Sequence, residues 1–178
     1  RDNHFQFLGN PGTGKTTMAR LFAEALNALG ILSSGQLIEA SRKDLVSNFV
    51  GDTPKVVNKK FDEAMGGVLF IDEAYSLMTS DKAGQEAVNE IITCSENLRG
   101  KVVVILAGYT KEMGEFMQSN SGLASRFDKI VNFPDYTGEQ LADIFRSMVK
   151  HSEDGYTLSD DAEEHINTFF DRMYQSRV

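Results

Sequence analysis

The stretch Gly9-Asn10-Pro11-Gly12-Thr13-Gly14-Lys15-Thr16 decides the fold of this chain. It matches in full the phosphate-loop pattern of a glycine, any four residues, a second glycine, a lysine, and a serine or threonine. In such a loop, consecutive backbone N–H groups must close around phosphates, and glycine lets the backbone approach closely and turn sharply. The stretch therefore predicts a binding site for a nucleoside triphosphate.

Side chains at the end of the loop complete the predicted site. Lys15 is expected to place a positive charge on the β- and γ-phosphates, and the hydroxyl of Thr16 to bind Mg²⁺. A helix begins here, and the partial positive charge at its amino terminus attracts the anion. We therefore expect residues 9–17, including Thr17, to bind the nucleotide, and Lys15 to take part in catalysis.

Strands and helices alternate along the chain. Strands are predicted at 4–8, 36–40, 68–71, 102–107 and 129–133, and helices at 16–29, from Thr53 to about 65, and at 84–98, 111–118, 137–150 and 159–171. Continuously apolar strands such as 68–71 are typical of strands buried on both faces. The alternation with long crossovers predicts a three-layer α/β/α fold around a parallel five-stranded sheet.

The pattern changes after Asp154-Gly155, because Ser159 caps a further helix that no strand follows. We predict a large α/β nucleotide-binding subdomain over residues 1–152 and the beginning of a second, helical piece over residues 153–178. The chain begins without Met and its first strand starts almost at once. We therefore expect that sequence upstream of Arg1 has been removed and that the helical piece is cut short.

Composition narrows the functions to consider. Among 178 residues, 41% are hydrophobic, and the formal net charge is -8. This acidic balance, without a strongly basic block, argues against nucleic acid as a partner. No apolar run approaches the roughly 20 residues of a membrane span, so membrane insertion is not expected. The single cysteine, Cys94, excludes an internal disulfide and fits a core thiol in the cytoplasm or another reducing compartment.

A second motif follows the apolar strand 68–71, which ends in Asp72 and Glu73. A triphosphate hydrolase needs such carboxylates beside its phosphate loop. Asp72 is expected to hold Mg²⁺ through water, and Glu73 to orient or deprotonate the attacking water. Acids after buried strands are also common as plain polar strand ends, but the pairing with a phosphate loop at this separation favours the catalytic interpretation.

These two motifs resemble the Walker A and Walker B motifs of the AAA+ ATPases. The strings Met65–Tyr75, Val104–Tyr109 and Phe133–Tyr136 are similar, more narrowly, to the CbbX/CfxQ branch, which includes the red-type Rubisco activase, stage V sporulation protein K and the ATPase domain of type VII secretion. The similarity extends from His4 to about Phe170. It implies a P-loop NTPase fold, with residues 153–178 as the start of a helical lid.

The resemblance also implies an activity and partners. AAA+ proteins of this kind bind ATP with Mg²⁺, hydrolyse it at subunit interfaces, and assemble into rings, usually hexamers, that remodel or thread a protein substrate. Arg126, in the string Leu123–Phe127, matches the arginine finger that one subunit inserts beside the γ-phosphate of its neighbour. A surface arginine in a salt bridge is the alternative interpretation. Many relatives carry a further arginine nearby, where this chain has Ala124.

Two other positions take roles from the resemblance. The polar sensor at the end of the fourth strand is commonly Asn in the family, and this chain offers Tyr109 and Thr110; Tyr109 is the expected nucleotide contact. The triplet Phe49-Val50-Gly51 lies where AAA+ motors place the loop that lines the central pore and grips a polypeptide. On its own, the triplet would equally indicate core packing before a turn glycine.

Three classes of function follow from these motifs. A ring-forming ATPase that remodels or threads protein, similar to CbbX, is favoured by the combination of Glu73 and Arg126. A nucleotide-gated interaction module would hydrolyse little ATP and bury the Phe49 loop. A nucleic-acid motor is the third, and the acidic balance and lack of an aromatic and basic groove argue against it. Within the first class, a role in sporulation or type VII secretion is the alternative to an activase.

Overall fold

The computed structural model describes residues 4–78, 80–151 and 157–176. In these ranges the strands are β1 (Phe5–Gly9), β2 (Leu37–Ala40), β3 (Val68–Ile71), β4 (Val103–Gly108) and β5 (Lys129–Phe133). The helices are α1 (Lys15–Ala28), α2 (Arg42–Leu45), α3 (Thr53–Glu63), α4 (Lys82–Asn97), α5 (Thr110–Ser119), α6 (Ser121–Arg126), α7 (Gly138–Lys150) and α8 (Asp160–Gln175), with a 3-10 helix at Ala74–Leu77. Among the helices of these ranges, none combines the length and the apolar character that crossing a bilayer requires.

The five strands form one parallel sheet in the order β2-β3-β4-β1-β5. This confirms the predicted fold class. The strand β4 lies between β1 and β3, so the segments that follow these three strands meet at one edge of the sheet. That edge is where the two sequence motifs are brought together.

The sheet buries a core on each of its faces. Successive residues of a strand point to opposite faces, so the fully buried strands β3 and β4 contribute to both cores. One core contains Phe7, Phe70 and Ile105 under α1, together with Ala19 and Ala23 of that helix. The other lies under α2 to α6 and contains Phe61, Leu69, Ile91, Val104, Leu106 and Phe116. This is the three-layer arrangement that the continuous apolar runs predict.

Capping side chains begin the helices close to where the sequence places them. At α7, the Thr137 hydroxyl accepts from the Gln140 amide at 3.2 Å, while the Gln140 side chain accepts from the Thr137 amide at 2.9 Å. The Thr and Gln three residues apart in the sequence predict this capping box. The hydroxyl of Ser159 likewise accepts from the Ala162 amide at 3.2 Å and begins α8.

The pair Thr53-Pro54 in the sequence is typical of an N-cap followed by proline at the first helical position, but this predicted cap is wrong by one residue. The helix begins at Thr53 itself, its flanking residue is Asp52, and Pro54 lies in the first turn. The Thr53 hydroxyl accepts instead from the amide of Ser47 at 3.2 Å, across the preceding loop. Thr53 therefore closes that loop rather than capping the helix.

The chain divides into two compact units, Arg1–Pro134 and Asp135–Val178. In the second unit, α7 packs against α8: Arg146 donates to Glu163 at 2.8 Å, and the rings of Phe145 and Phe170 lie 5.8 Å apart. The predicted subdomain boundary after residue 152 stays a prediction, and the units divide earlier because α7 packs against α8. The predicted change of pattern at Asp154-Gly155 lies outside the described residues.

Candidate nucleotide-binding site

A cleft of about 360 Å³ lies at the carboxyl edge of the sheet, where β1, β4 and β3 end side by side. It is lined by Gly9, Pro11, Gly12, Gly14, Lys15, Thr16, Thr17, Asp72, Glu73, Tyr75, Gly108 and Tyr109. The cleft thus joins most of the predicted phosphate loop, both predicted carboxylates and the predicted sensor position. Segments more than fifty residues apart in the sequence meet here because β4 separates β1 from β3 by a single strand.

The shape of the phosphate loop depends on glycine at two positions for different reasons. Gly14 has φ 91° and begins α1, and no side chain caps this helix end. A Cβ on Gly9 would lie 2.4 Å from the carbonyl oxygen of Phe133 on β5, so this position has no room for a side chain. The first turn of α1 contains no acidic residue. Its amide groups and partial positive charge therefore suit an anion.

Lys15 and Thr13 brace the loop from inside. The Lys15 ammonium donates to the carbonyl oxygens of Gly9 and Asn10, both at 2.7 Å. The buried Thr13 hydroxyl donates to the same Asn10 carbonyl at 2.7 Å. Partial burial lowers the pKa of Lys15, and the negative charge of Asp72 acts in the opposite direction. The Lys15 ammonium of one motif and the Asp72 carboxylate of the other therefore interact electrostatically across the cleft.

Asp72 and Glu73 leave β3 through a strained turn. The Asp72 amide donates to the Ala40 carbonyl at 2.9 Å, and an Asp72 carboxylate oxygen accepts from the Glu73 amide at 2.9 Å. Glu73 then adopts φ 47°, ψ 47°, the only left-handed backbone among the described non-glycine residues. A side chain makes this conformation unfavourable, and such strain concentrates at functional sites. Both carboxylates are exposed to the cleft.

The oxygen atoms at the cleft suit a magnesium ion bound together with phosphates. Thr16 supplies a hydroxyl and Asp72 a carboxylate, and both line the cleft. In the described part of the chain, no group of three or more His, Cys, Asp or Glu side chains could hold a metal alone. A Mg²⁺ ion here would take its other ligands from the nucleotide and from water, which is its usual coordination beside phosphates.

Two tyrosines line the cleft beside the carboxylates. Tyr109 lies there as the sequence predicts, whereas Tyr75 and Gly108 were not among the predicted site residues. The ring centroids of Tyr75 and Tyr109 are 5.9 Å apart. Desolvation, followed by the negative charges of Glu73 and other acidic groups nearby, raises the pKa of Tyr75 to about 12. The signal for Tyr75 in the sequence is only its place two residues after Glu73.

Two predicted loop residues do not line the cleft. Asn10 contributes its carbonyl oxygen to Lys15 and Thr13, and Thr13 is buried with its hydroxyl engaged in that contact. The Asn10 carbonyl and the Thr13 hydroxyl therefore brace the loop from inside. The nucleotide contacts predicted for Asn10 and Thr13 remain predictions.

Arg126 lies far from this cleft. It ends α6, and its guanidinium forms an ion pair with Glu96 of α4 and donates to the Gly122 carbonyl at 3.3 Å. Its Nε atom is buried without a hydrogen-bond partner. The neighbouring Phe127 carbonyl accepts from the side chain of Gln6 in β1. Arg126 thus lies near the amino ends of β1 and β5, whereas the phosphate loop follows the carboxyl end of β1.

The predicted pore-loop residues project from the surface between α2 and α3. The exposed fraction is 75% for Phe49 and 95% for Val50, and Gly51 has φ 81°. The Phe49 amide donates to the Ser47 hydroxyl at 3.0 Å, and its carbonyl accepts from the Asp52 amide at 3.3 Å. The alternative that this triplet packs in the core is wrong.

The chain matches the family model described as ATPase family associated with various cellular activities (AAA) over residues 5–135. It is 43% identical to stage V sporulation protein K of Bacillus subtilis over 90% of this chain and 50% of that protein. It is 44% identical to the chloroplastic ribulose bisphosphate carboxylase/oxygenase activase of Cyanidioschyzon merolae, over 97% of this chain and 59% of that one. Identity to protein CbbX of Cereibacter sphaeroides is 42%, over 93% and 54%. The chain spans about half to three fifths of the length of these relatives.

Solved structures agree on the fold. The crystal structure of the FIGL-1 AAA domain in complex with ADP superimposes with a TM-score of 0.64 at 19% identity, over 98% of this chain and 59% of that chain. A second crystal structure of the FIGL-1 AAA domain gives a TM-score of 0.66 at 22% identity, over 98% and 58%. At this identity the likeness shows a shared fold.

Proposed function

Since the chain belongs to the AAA family of ATPases, we propose that it is the ATP-hydrolysing part of a protein-remodelling motor of the CbbX and Rubisco activase type. In this proposal the motor assembles into a ring of six subunits. One observation carries the proposal. Lys15, Asp72 and Glu73 share a single cleft, whereas Arg126 lies at the opposite edge of the same sheet. The residues that hydrolysis needs are therefore divided between two surfaces of one subunit.

In the cleft, the phosphate loop and the amino terminus of α1 bind the triphosphate. The ammonium of Lys15 exchanges its contacts with the loop carbonyls for the β- and γ-phosphate oxygens. Thr16 and Asp72 would hold Mg²⁺, which supplies neutralisation of the charge on those oxygens. Tyr109 would contact the γ-phosphate region from the end of β4, at the position of the family sensor.

Glu73 is the proposed base. Its carboxylate lines the cleft without serving the metal, so it can orient the attacking water and accept its proton. Asp72 cannot take both roles, because a carboxylate that holds Mg²⁺ is a poor proton acceptor.

Arg126 can act only in another subunit's cleft. The strand β5 runs parallel to β1, with Lys129 opposite Phe5 and Phe133 opposite Gly9. The phosphate loop therefore follows the carboxyl end of β1, whereas Arg126 precedes the start of β5, beside the amino end of β1. At about 3.3 Å per residue, the two ends of β1 are about 13 Å apart, more than an arginine side chain can span. A head-to-tail ring would place Arg126 of one subunit beside the cleft of the next.

Phe49 and Val50 would provide the grip on the substrate. Their exposure fits a loop that contacts a polypeptide through apolar surface and therefore does not read its sequence. The substrate class is protein, and Rubisco is the first candidate to assay because it is named in a relative at 44% identity. We keep the cytoplasm, or another reducing compartment, as the expected location.

The Glu73→Gln variant of the full-length protein tests this proposal. Mg-ATP binding, measured by calorimetry, should be retained while turnover is lost, because an amide cannot accept the proton. Glu115→Gln, which changes an exposed carboxylate of α5 outside the cleft, is the matched control and should hydrolyse normally. Turnover per subunit should rise with protein concentration as rings form.

Each alternative predicts a different result. Turnover of Glu73→Gln at the parent rate would show that the catalytic assignment is wrong. A rate independent of protein concentration would contradict the ring. Negligible turnover by the parent at every concentration would favour a nucleotide-gated interaction module, and stimulation by DNA would favour a nucleic-acid motor.

A further inference from the structure

Tyr75 lines the cleft and has no part in the mechanism above. It belongs to the 3-10 helix Ala74–Leu77, which begins directly after Glu73. The Ser76 amide donates to the Glu73 carbonyl at 2.8 Å, and the Met78 amide to the Tyr75 carbonyl at 2.9 Å. Tyr75 therefore lies within the hydrogen-bonded turn that starts at Glu73.

The Tyr75 ring is seated on the backbone of Gly108 at the end of β4. A Cβ on Gly108 would lie 2.7 Å from Cε1 and 2.8 Å from Cδ1 of Tyr75. Gly108 is not among the glycines with positive φ, so its backbone would accept another residue. The need for glycine at position 108 comes from its contacts, chiefly the ring of Tyr75.

The backbone of Glu73 needs support from both sides. A left-handed non-glycine residue persists only where its surroundings fix it. On the amino side, the Asp72 amide is bonded to β2 through the Ala40 carbonyl. On the carboxyl side, the contact between Tyr75 and Gly108 ties the turn to β4.

We propose that Tyr75 is a positioning residue, whose ring, seated on Gly108, holds the turn that aims the Glu73 carboxylate at the attacking water. This inference rests on the proposed function, because it requires Glu73 to be the base. The ring is the part that acts. With a pKa raised to about 12 by desolvation and by the surrounding acidic groups, the Tyr75 hydroxyl stays neutral and exchanges no proton near pH 7.

Three variants of the full-length protein test the role of the ring. Tyr75→Ala and Gly108→Ala should each lower kcat about 10- to 100-fold, since a small displacement of a catalytic group has this effect. The Kd for Mg-ATP should change less than about threefold, because the phosphate loop is untouched. Tyr75→Phe keeps the ring and should restore kcat to within about twofold of the parent. Gly114→Ala is the matched control for Gly108→Ala, since a Cβ there meets no atom within 4 Å.

Double variants separate positioning from a merely structural role. Gly108→Ala should cause little further loss in the Tyr75→Ala background, because the ring is gone and only the flexible Met113 side chain, at 3.0 Å, would still meet the new Cβ. Tyr75→Ala should likewise cause no further loss of residual turnover in the Glu73→Gln background. A structural role would instead lower Tm and Mg-ATP affinity and add to both backgrounds.

The possible outcomes distinguish this inference from the proposed function. Parental kcat for Tyr75→Ala, additive losses in either double variant, or a Tyr75→Phe variant as slow as Tyr75→Ala would overturn the positioning role. None of these results bears on the proposed function, which is overturned by Glu73→Gln turning over at the parent rate or by negligible turnover of the parent at every concentration. If Tyr75→Ala does not fold, Gly108→Ala and Tyr75→Phe still decide between the two results.

Discussion

The guanidinium of Arg126 pairs with the carboxylate of Glu96 at the edge of the sheet opposite the cleft that contains Lys15 and Glu73. The same guanidinium donates to the Gly122 carbonyl of its own helix. The arginine that we assign to a neighbour's cleft is thus docked on its own subunit. Under the proposed function a complete site needs two subunits, so the docking and the release of Arg126 can both be tested by experiment.

Mixing two inactive variants should restore activity. Arg126→Ala subunits keep Glu73, and Glu73→Gln subunits keep Arg126, so a mixed ring contains interfaces with both groups intact. In an equal mixture, about a quarter of the interfaces of a head-to-tail ring should be complete. The ATPase rate, measured against the mixing ratio, should pass through a maximum between two inactive ends.

A mixture of Glu73→Gln and Lys15→Ala subunits is the matched control for this experiment. Both residues belong to the same cleft, so no mixed interface contains an intact set and the rate should stay at background. If the Arg126→Ala mixture also stays at background, Arg126 does not complete a neighbour's site.

The ion pair with Glu96 is expected to compete with the insertion of Arg126 into a neighbouring subunit's cleft. The side chains of the pair are 23% and 51% exposed for Arg126 and Glu96, and ion pairs this accessible contribute at most about 1 kcal/mol. Glu96→Gln should therefore raise the ATPase rate at limiting protein concentration by up to about fivefold, and change the free energy of unfolding by less than about 1 kcal/mol. Glu86→Gln, which loosens a 3.7 Å pair with Lys82 on the same helix, should change neither. A rate below the parent would show that Glu96 orients Arg126 for catalysis instead.

Most elements with strong local signals were predicted within one or two residues, whereas α8 runs four residues past its predicted end. The strands β3 and β5 have the predicted bounds, and α7 ends at the predicted Lys150. Continuous apolar runs and capping side chains carry this information in the chain itself. The short helix α2, the 3-10 helix and the separate helix α6 were missed, because four to six residues contain too little periodicity, and contacts with other elements stabilise them.

The candidate site was predictable where it is contiguous in sequence. The phosphate loop and the pair Asp72 and Glu73 are short motifs, and the structure brings them to one cleft. The contact of Tyr75 with Gly108 depends on β3 and β4 being neighbours, which no local pattern specifies. The exposure of Phe49 could not be predicted either, since an aromatic residue before a glycine occurs both in cores and in exposed loops.

Gly9→Ala should destabilise the protein through a backbone contact. The new Cβ would lie 2.4 Å from the Phe133 carbonyl oxygen, so β1 and β5 must separate locally. We expect a loss of about 1–3 kcal/mol in the free energy of unfolding, measured in urea, and weaker Mg-ATP binding. Gly114→Ala, on an exposed position of α5, should stabilise the protein by about 0.5–1 kcal/mol because alanine favours helix. Equal stability of Gly9→Ala and the parent would contradict the tight contact with β5.

Cys94 should be unreactive in the folded protein. Desolvation, followed by the charge of Glu90 and a hydrogen bond to it, raises the pKa of this buried thiol to about 12. At pH 8 the thiolate fraction is then far lower than for an ordinary thiol, and the thiol is also buried, so alkylation by iodoacetamide should be strongly slowed. Between pH 9 and 12 the unfolded chain loses this proton while the folded chain keeps it, so this group lowers stability as pH rises. Labelling at the same rate with and without urea would contradict this.

Phe49→Ala should impair the response to a polypeptide substrate without impairing basal ATP hydrolysis. Because 75% of the side chain is exposed, its removal should change the free energy of unfolding by less than about 0.5 kcal/mol. The cleft is intact in this variant, so basal ATP hydrolysis should match the parent. Stimulation of hydrolysis by an unfolded polypeptide such as casein should be lost, because the proposed contact with a polypeptide of any sequence is made through the apolar ring of Phe49. The variant Phe49→Tyr keeps an aromatic ring and should retain this stimulation.

Phe61→Ala, at a fully buried position of α3, is the contrasting control and should cost about 3–5 kcal/mol of stability. Undiminished stimulation in Phe49→Ala would show that this loop does not contact the polypeptide, whereas a loss of stability like that of Phe61→Ala would show that the ring is buried.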